Sequence, residues 1–277
     1  MQIIGTGDKT YILLSGIEVP TEICLTENVK LIPADTSHLD FNTAVSTCSQ
    51  PDDIAVVSAF IPRITAQFEI VASSPKELAT HAWNSSWDAL LLSAIFHTEV
   101  SFNLQSDTEA SLISSETNLR ATNLQFQGLT KASPKELSDE DVTWINTNFN
   151  DARALLEKEK FQTAVHCLAS YRWHSMPRIK IAVLWAGIEG MFGASTEIRF
   201  RLSLCIARFL HPNDADARKH KFELVKKLYN SRSSAVHGAK VKGDLNQAVE
   251  VSAKLLMDLI HQGVIERAMP NEEILVP

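Results

Sequence analysis

Two side chains near the C-terminal end, Arg232 and His237, have the types that cleavage of a phosphodiester requires. A guanidinium binds a phosphodiester through two parallel hydrogen bonds and keeps its charge throughout a reaction. An imidazole accepts and donates a proton near neutral pH. Together they suit cleavage of RNA by its own 2′-hydroxyl, with no metal required. The spacing alone is weak evidence, because a chain of this length produces such pairs by chance.

The residues around this pair predict a helix that ends beside the histidine. At about 100° per residue, Arg232 and His237 point about 140° apart on an ideal helix, and a long arginine can still reach a cleft at the helix end. Gly238 is typical of a C-terminal cap, so His237 lies in the last turn, where the helix dipole favours an imidazolium. The alternative is a surface ion pair for Arg232 and a capping role for His237.

The charge around the pair differs strongly from the average. The formal net charge of the 277 residues is −7, and an acidic average argues against nucleic-acid binding. Residues 1–130, however, carry 5 basic and 15 acidic side chains, against 21 and 18 in residues 131–277. The window 199–242 alone holds 11 basic and 3 acidic residues. This window is either a solvated helix face or a surface that binds phosphates.

The hydrophobic pattern before residue 130 predicts an α+β domain. Alternating apolar residues predict strands, and Ser74-Pro75-Lys76-Glu77 is a capping box that starts a helix towards His97. The predicted strands are Ile64–Ile70, Val100–Leu104, Tyr11–Val19 and Leu124–Leu129. Trp83 and Trp87, one helical turn apart, are expected to pack on the sheet, with a ligand pocket as the alternative.

From residue 131 the pattern becomes helical and favours an antiparallel helical bundle. Ser133-Pro134-Lys135-Glu136 repeats the earlier start signal and predicts the first helix. Apolar residues at helical spacing then predict helices around Trp144–Leu156, Phe161–Leu168, Ile181–Phe192, Ile198–Leu210, Phe222–Tyr229 and Leu245–Val264. The sequence therefore predicts two domains, residues 1–130 and residues 131–277.

Composition excludes several classes of protein. Hydrophobic residues make up 45% and charged residues 21%, as in globular proteins, and no apolar run is long enough for a membrane span. The four cysteines lie far apart, and the start lacks the pattern of a signal peptide, so we expect reduced thiols in a cytoplasmic protein. No spacing typical of metal ligands occurs, and we expect neither a metal nor another cofactor.

Three motifs in the second half resemble one family. They are Leu184-Trp185-Ala186-Gly187-Ile188-Glu189-Gly190-Met191-Phe192, then Thr196-Glu197-Ile198, then Leu228-Tyr229-x-x-Arg232-Ser233-x-x-Val236-His237-Gly238. In order and separation, residues 136 to 270 resemble the Apea-like branch of the HEPN superfamily. The resemblance implies a helical bundle that often acts as a metal-independent endoribonuclease, in which two copies form one composite cleft.

The resemblance also implies a role for each residue of the motif. Arg232 would hold the scissile phosphate, and His237 would serve in proton transfer. Glu189 would orient this pair or hold the buried network together. Ser233 stands where many nucleases of the family have Asn or another strongly polar group. Tyr229 is expected to pack in the core, with RNA contact as the alternative.

The expected partners follow from the same resemblance. They are RNA, with tRNA as one candidate, a second copy of the chain, and an unidentified trigger or antitoxin in a defence or toxin-like role. The tyrosine that marks the branch paired with nucleotidyltransferase antitoxins is absent, since Gly238-Ala239-Lys240 follow His237. Residues 1–130 would act as a sensor or specificity domain.

The alternatives to a nuclease are a non-catalytic RNA-binding or regulatory module, and a structural protein whose Arg232 and His237 make internal ion pairs.

Overall fold

The computed structural model describes residues 5–124, 129, 133–193, 198–240 and 242–270. The chain is α+β, as predicted, and divides into two compact units, Met1–Asn150 and Asp151–Pro277, here called the N-terminal unit and the helical unit. The strands are β1 Lys9–Ser15, β2 Ile17–Glu18, β3 Ile23–Cys24, β4 Val29–Pro33, β5 Ile64–Val71, β6 Ser101–Ser106, β7 Leu119–Ala121 and β8 Lys135–Glu136. The helices are α1 Phe41–Thr47, α2 Pro51–Phe60, α3 Pro75–Ile95, α4 Asp139–Leu155, α5 Glu159–Ser170, α6 Pro177–Phe192, α7 Ile198–Leu210, α8 Ala215–Val236 and α9 Leu245–Glu266.

A six-stranded antiparallel sheet in the order β3-β4-β5-β1-β6-β7 organises the N-terminal unit. Strand β1 is central and buried on both faces, which fits its nearly continuous apolar sequence. The strands predicted from alternation around residues 64–70 and 100–104 are confirmed as β5 and β6. The predicted strand Tyr11–Val19 is divided into β1 and β2 at Gly16, whose φ of +86° favours glycine. Most of the predicted strand Leu124–Leu129 lies outside the described residues.

Helix α3 starts where the first Ser-Pro signal predicts. The Ser74 hydroxyl accepts a hydrogen bond from the Glu77 backbone N–H at 3.4 Å, while the Glu77 carboxylate accepts one from the Ser73 hydroxyl. The helix packs against β1, β5 and β6. The expectation that Trp83 packs in the core is wrong, because 50% of this residue is exposed, whereas Trp87 is half-buried.

The second Ser-Pro signal does not start a helix, which corrects the prediction for Ser133-Pro134-Lys135-Glu136. Lys135–Glu136 forms β8, which pairs in parallel with β2. Helix α4 starts three residues later, because Ser138 and Asp141 form their own capping box. The Ser138 hydroxyl accepts from the Asp141 N–H at 3.2 Å, and the Asp141 carboxylate accepts from the Ser138 N–H at 2.9 Å. The boundary between the two units lies within α4, later in the chain than residue 130.

Helix α6 is the centre of the helical unit, where it packs against α5, α8 and α9. The predicted helices of this half are confirmed as α4 to α9. Gly187 allows α6 to approach its neighbours closely, since a Cβ there would lie 2.9 Å from the Cys167 Cβ and 3.0 Å from Cδ2 of Leu256. Among the described residues, none of the helices combines the length and the apolar character of a membrane span.

Candidate active site

Helix α8 carries Arg232 and ends at His237, and it places the two side chains on different faces. Val225 and Leu228 are buried, and helical geometry puts Arg232 about 20° and 40° from them around the axis. Arg232 accordingly points inward, with 19% of its side chain exposed. His237 caps the helix on the other side and is exposed.

Arg232 forms an ion pair with Glu189, which lies in the last turn of α6. The guanidinium Nη2 lies 3.0 Å from each carboxylate oxygen and donates a hydrogen bond to Oε2. The contact therefore uses one nitrogen of the guanidinium and is not the bidentate fork that two parallel bonds would give. Within the described residues, Nε of Arg232 and Oε1 of Glu189 are buried and take part in no hydrogen bond. Burying a hydrogen-bond donor without an acceptor costs free energy, and an anion that accepts from Nε would recover it. Arg232 therefore retains one unused donor for an anionic ligand.

Burial raises the pKa of Glu189 above its ordinary value, and the positive charge of Arg232 opposes this rise without cancelling it. The native state thus binds a proton at this carboxyl more tightly than the unfolded chain does. Between the unfolded and the folded pKa, stability therefore falls as the pH rises. The ion pair is held at the cost of removing a carboxylate from water.

Replacing Glu189 by glutamine tests the direction of this pH dependence of stability directly. Glutamine keeps the shape and one oxygen acceptor for Arg232 but does not titrate. The wild-type free energy of unfolding, relative to Glu189→Gln, is expected to fall as the pH rises from below the ordinary pKa of a glutamate towards neutrality. Urea unfolding of both proteins, followed by far-UV circular dichroism at a series of pH values, measures the difference. If this difference in the free energy of unfolding stays constant or rises with pH, the pKa of Glu189 is not raised in the folded state.

Arg232 contacts the aromatic ring of Tyr229, which in turn packs against a second aromatic ring. The Arg232 guanidinium carbon lies 5.6 Å from the centre of the Tyr229 ring, within the range of a cation–π contact. Tyr229 meets the fully buried Trp185 edge to face, with 5.5 Å between ring centres. Trp185 in turn donates from Nε1 to the Ser252 hydroxyl at 3.0 Å. Tyr229 therefore packs against Trp185 and connects Arg232 to the core.

The end of α8 is held by Arg178, which lies outside the three sequence motifs. Its Nη1 donates to the Ala235 carbonyl at 2.7 Å, and its Nη2 donates to the Ala239 carbonyl at 3.1 Å. A guanidinium is well placed there, because the carbonyls at a helix C-terminus carry partial negative charge. Arg178 thus fixes the backbone on both sides of His237.

The structure brings Glu189 and Tyr229 into contact with Arg232, and it places His237 on a different face of α8. Ser233 is joined to His237 through the backbone, since the His237 N–H donates to the Ser233 carbonyl at 3.0 Å. Gly238 follows with a φ of +74°, the left-handed conformation predicted for a C-terminal cap.

The surroundings decide which ligands suit the site. In the part of the chain that the structure describes, His, Cys, Asp and Glu side chains form no group of three or more that could hold a metal ion. An inward arginine with an unused Nε suits an anionic ligand, and an exposed imidazole at the end of the same helix suits proton transfer. Comparisons with family models, with curated proteins and with solved structures give no match to this chain.

Proposed function

We propose that the helical unit is a metal-independent endoribonuclease of the HEPN type, with Arg232 and His237 as its catalytic residues. The observation that carries the proposal is that α8 holds an arginine with a buried, unused donor and ends at an exposed imidazole. The motif resemblance and the basic window 199–242 point to the same chemistry.

The reaction is an internal transfer at phosphorus. The 2′-hydroxyl loses its proton and attacks the adjacent phosphorus, and the bond to the 5′-oxygen breaks as that oxygen gains a proton. The products are a 2′,3′-cyclic phosphate and a 5′-hydroxyl. His237 moves the proton, while Arg232 turns from Glu189 towards the phosphate and stabilises its negative charge.

Glu189 has a positioning role in this scheme. It holds the guanidinium inward before RNA binds, through an ion pair with a carboxyl whose pKa is raised by burial. An incoming phosphodiester competes for Arg232 with two oxygens of its own.

The proposal includes a homodimer, supported by apolar side chains around the end of α8. Met176 and Ile179 flank Arg178 at the start of α6, and Val236 directly precedes His237. These three residues are 58%, 43% and 45% exposed. Since Arg178 binds the carbonyl of Ala235, the two helix ends lie together and form an apolar surface beside His237.

Replacing Ile179 by glutamate is expected to weaken dimerisation by at least about tenfold, because a charge would be buried at a self-complementary surface. Ile265→Glu is the matched control, since Ile265 is 61% exposed on α9. Sedimentation velocity over a range of protein concentrations measures the dimerisation of both variants. Equal dimerisation of the two variants contradicts this dimer surface.

The function is tested with the purified full chain and total RNA in EDTA. The wild type is expected to degrade the RNA, and the double variant Arg232→Ala/His237→Ala to leave it intact. The double variant, purified identically, also controls for contaminating nucleases. The assay is repeated with added cell extract to supply a trigger. RNA that stays intact in every condition, or equal cleavage by both proteins, contradicts the proposal.

A second candidate function is RNA binding without cleavage, which the inward ion pair of Arg232 favours. If Arg232 stays on Glu189 when RNA binds, the helix offers basic residues but no catalytic guanidinium. This candidate predicts salt-sensitive RNA binding with no cleavage.

A further inference from the structure

The outer surface of α7 and α8 presents an aromatic pair that neither the motif nor the catalytic proposal uses. Phe200 on α7 and Phe222 on α8 meet edge to face, with 5.7 Å between their ring centres and 82° between their planes. Phe200 is 55% exposed, although a large aromatic side chain gains most when it is buried. This pair is called the Phe200–Phe222 platform.

Two cationic side chains, Arg199 and Lys226, lie near the platform. The Lys226 ammonium lies 4.9 Å from the centre of the Phe222 ring and 3.2 Å from Oε1 of Glu223. Arg199, next to Phe200, is exposed and donates to the amide oxygen of Asn230 at 3.3 Å. An amide leaves the charge of Arg199 uncompensated, so it remains available for a phosphate. Exposed aromatic rings with cations nearby are the combination that binds bases and phosphates together.

The platform and the catalytic histidine lie on one side of α8. At 100° per residue, an arc of about 80° contains Lys219, Phe222, Lys226, Asn230, Ser233 and His237. Phe222 precedes His237 by 15 positions, so they are about 22 Å apart along the axis. A single strand of several nucleotides can therefore follow this side from the platform to His237.

We infer that the Phe200–Phe222 platform is a base-stacking subsite that selects single-stranded RNA and guides it along α8 to His237. The inference rests on the proposed function for the destination of the strand, but not for binding to the platform. At the platform itself, single-stranded RNA is favoured over a second copy of the chain, because the cations Arg199 and Lys226 would meet their own copies there, whereas the proposed dimer surface is apolar. Duplex RNA hides its base faces, so stacking distinguishes the two forms.

The test measures binding of a fluorescein-labelled 2′-O-methyl RNA strand, which lacks the free 2′-hydroxyl and is not cleaved. The duplex of the same sequence is measured in parallel, both with the full-length protein by fluorescence anisotropy. Phe200→Ala is expected to weaken binding of the single strand about tenfold and to leave duplex affinity unchanged. Phe200→Trp is expected to restore single-strand binding. Phe41→Ala is the matched control, because Phe41 is 63% exposed on α1, in the N-terminal unit.

Four results overturn the inference. They are no binding of the single strand by the wild type, equal affinity of Phe200→Ala and Phe41→Ala, an equal loss of single-strand and duplex binding, and a change in oligomeric state without a change in RNA affinity. The last result would assign the platform to a second copy. Cleavage of RNA by the wild type with unchanged binding by Phe200→Ala refutes the subsite alone. Weakened binding by Phe200→Ala without any cleavage by the wild type supports the subsite and refutes the nuclease.

Discussion

His237→Ala is expected to lower the rate constant of RNA cleavage by about 10²–10⁴-fold, with a much smaller change in KM. His237 is exposed at the end of α8, so the substitution removes the group that moves the proton without disturbing a packed core. Single-turnover cleavage of a labelled single-stranded RNA in EDTA, at several protein concentrations, separates the rate constant from binding.

His220→Ala is the matched control for this prediction. His220 is an exposed histidine in the same helix, at the opposite end from His237. The His220→Ala protein is expected to cleave RNA at the wild-type rate. This result would exclude a general effect of losing a histidine from the basic window. A His237→Ala protein that cleaves as fast as His220→Ala contradicts the assigned role.

Trp185→Ala is expected to lower the free energy of unfolding by about 3–5 kcal/mol. Trp185 is fully buried in α6, packs edge to face against Tyr229 and donates to Ser252. Its removal leaves a large cavity and an unpaired hydroxyl beneath the residue that supports Arg232. Urea unfolding followed by far-UV circular dichroism measures the loss.

Trp83→Ala provides the control for Trp185→Ala, because it deletes the same side chain from α3 at a site that is 50% exposed. Its cost is expected to stay below about 1 kcal/mol. If both tryptophan variants unfold at the same urea concentration, Trp185 does not occupy the centre of the helical unit.

Local sequence patterns predicted most helices of the second half correctly, because their apolar residues recur at helical spacing over several turns. The Ser-Pro-Lys-Glu signal failed at its second occurrence for a physical reason. The Lys135 N–H bonds to the Gly16 carbonyl, a partner distant in the sequence, while Ser138 and Asp141 offer a competing cap. Trp83 was misplaced because its neighbours Ala82 and Ser85 occupy the buried face of that turn and leave Trp83 on the outer face of α3.

The candidate site was predictable in part. Arg232, His237 and Glu189 follow from the motif, and the structure places Glu189 against Arg232. Arg178 could not be found this way, since it binds a backbone carbonyl 57 residues away and carbonyls have no sequence signature. The Phe200–Phe222 platform could not be predicted from the sequence for a related reason, because contact between α7 and α8 depends on how the helices pack.

The chemistry of the product ends tests the central claim most directly. A single-stranded RNA of defined sequence is incubated with the full-length protein in EDTA, beside a copy with one 2′-deoxy nucleotide at the main cleavage site. Mass spectrometry of the fragments is expected to show 2′,3′-cyclic phosphate and 5′-hydroxyl ends, with no cleavage at the deoxy position. Fragments with 5′-phosphate ends, or cleavage at the deoxy position, would contradict attack by the 2′-hydroxyl and the roles assigned to Arg232 and His237.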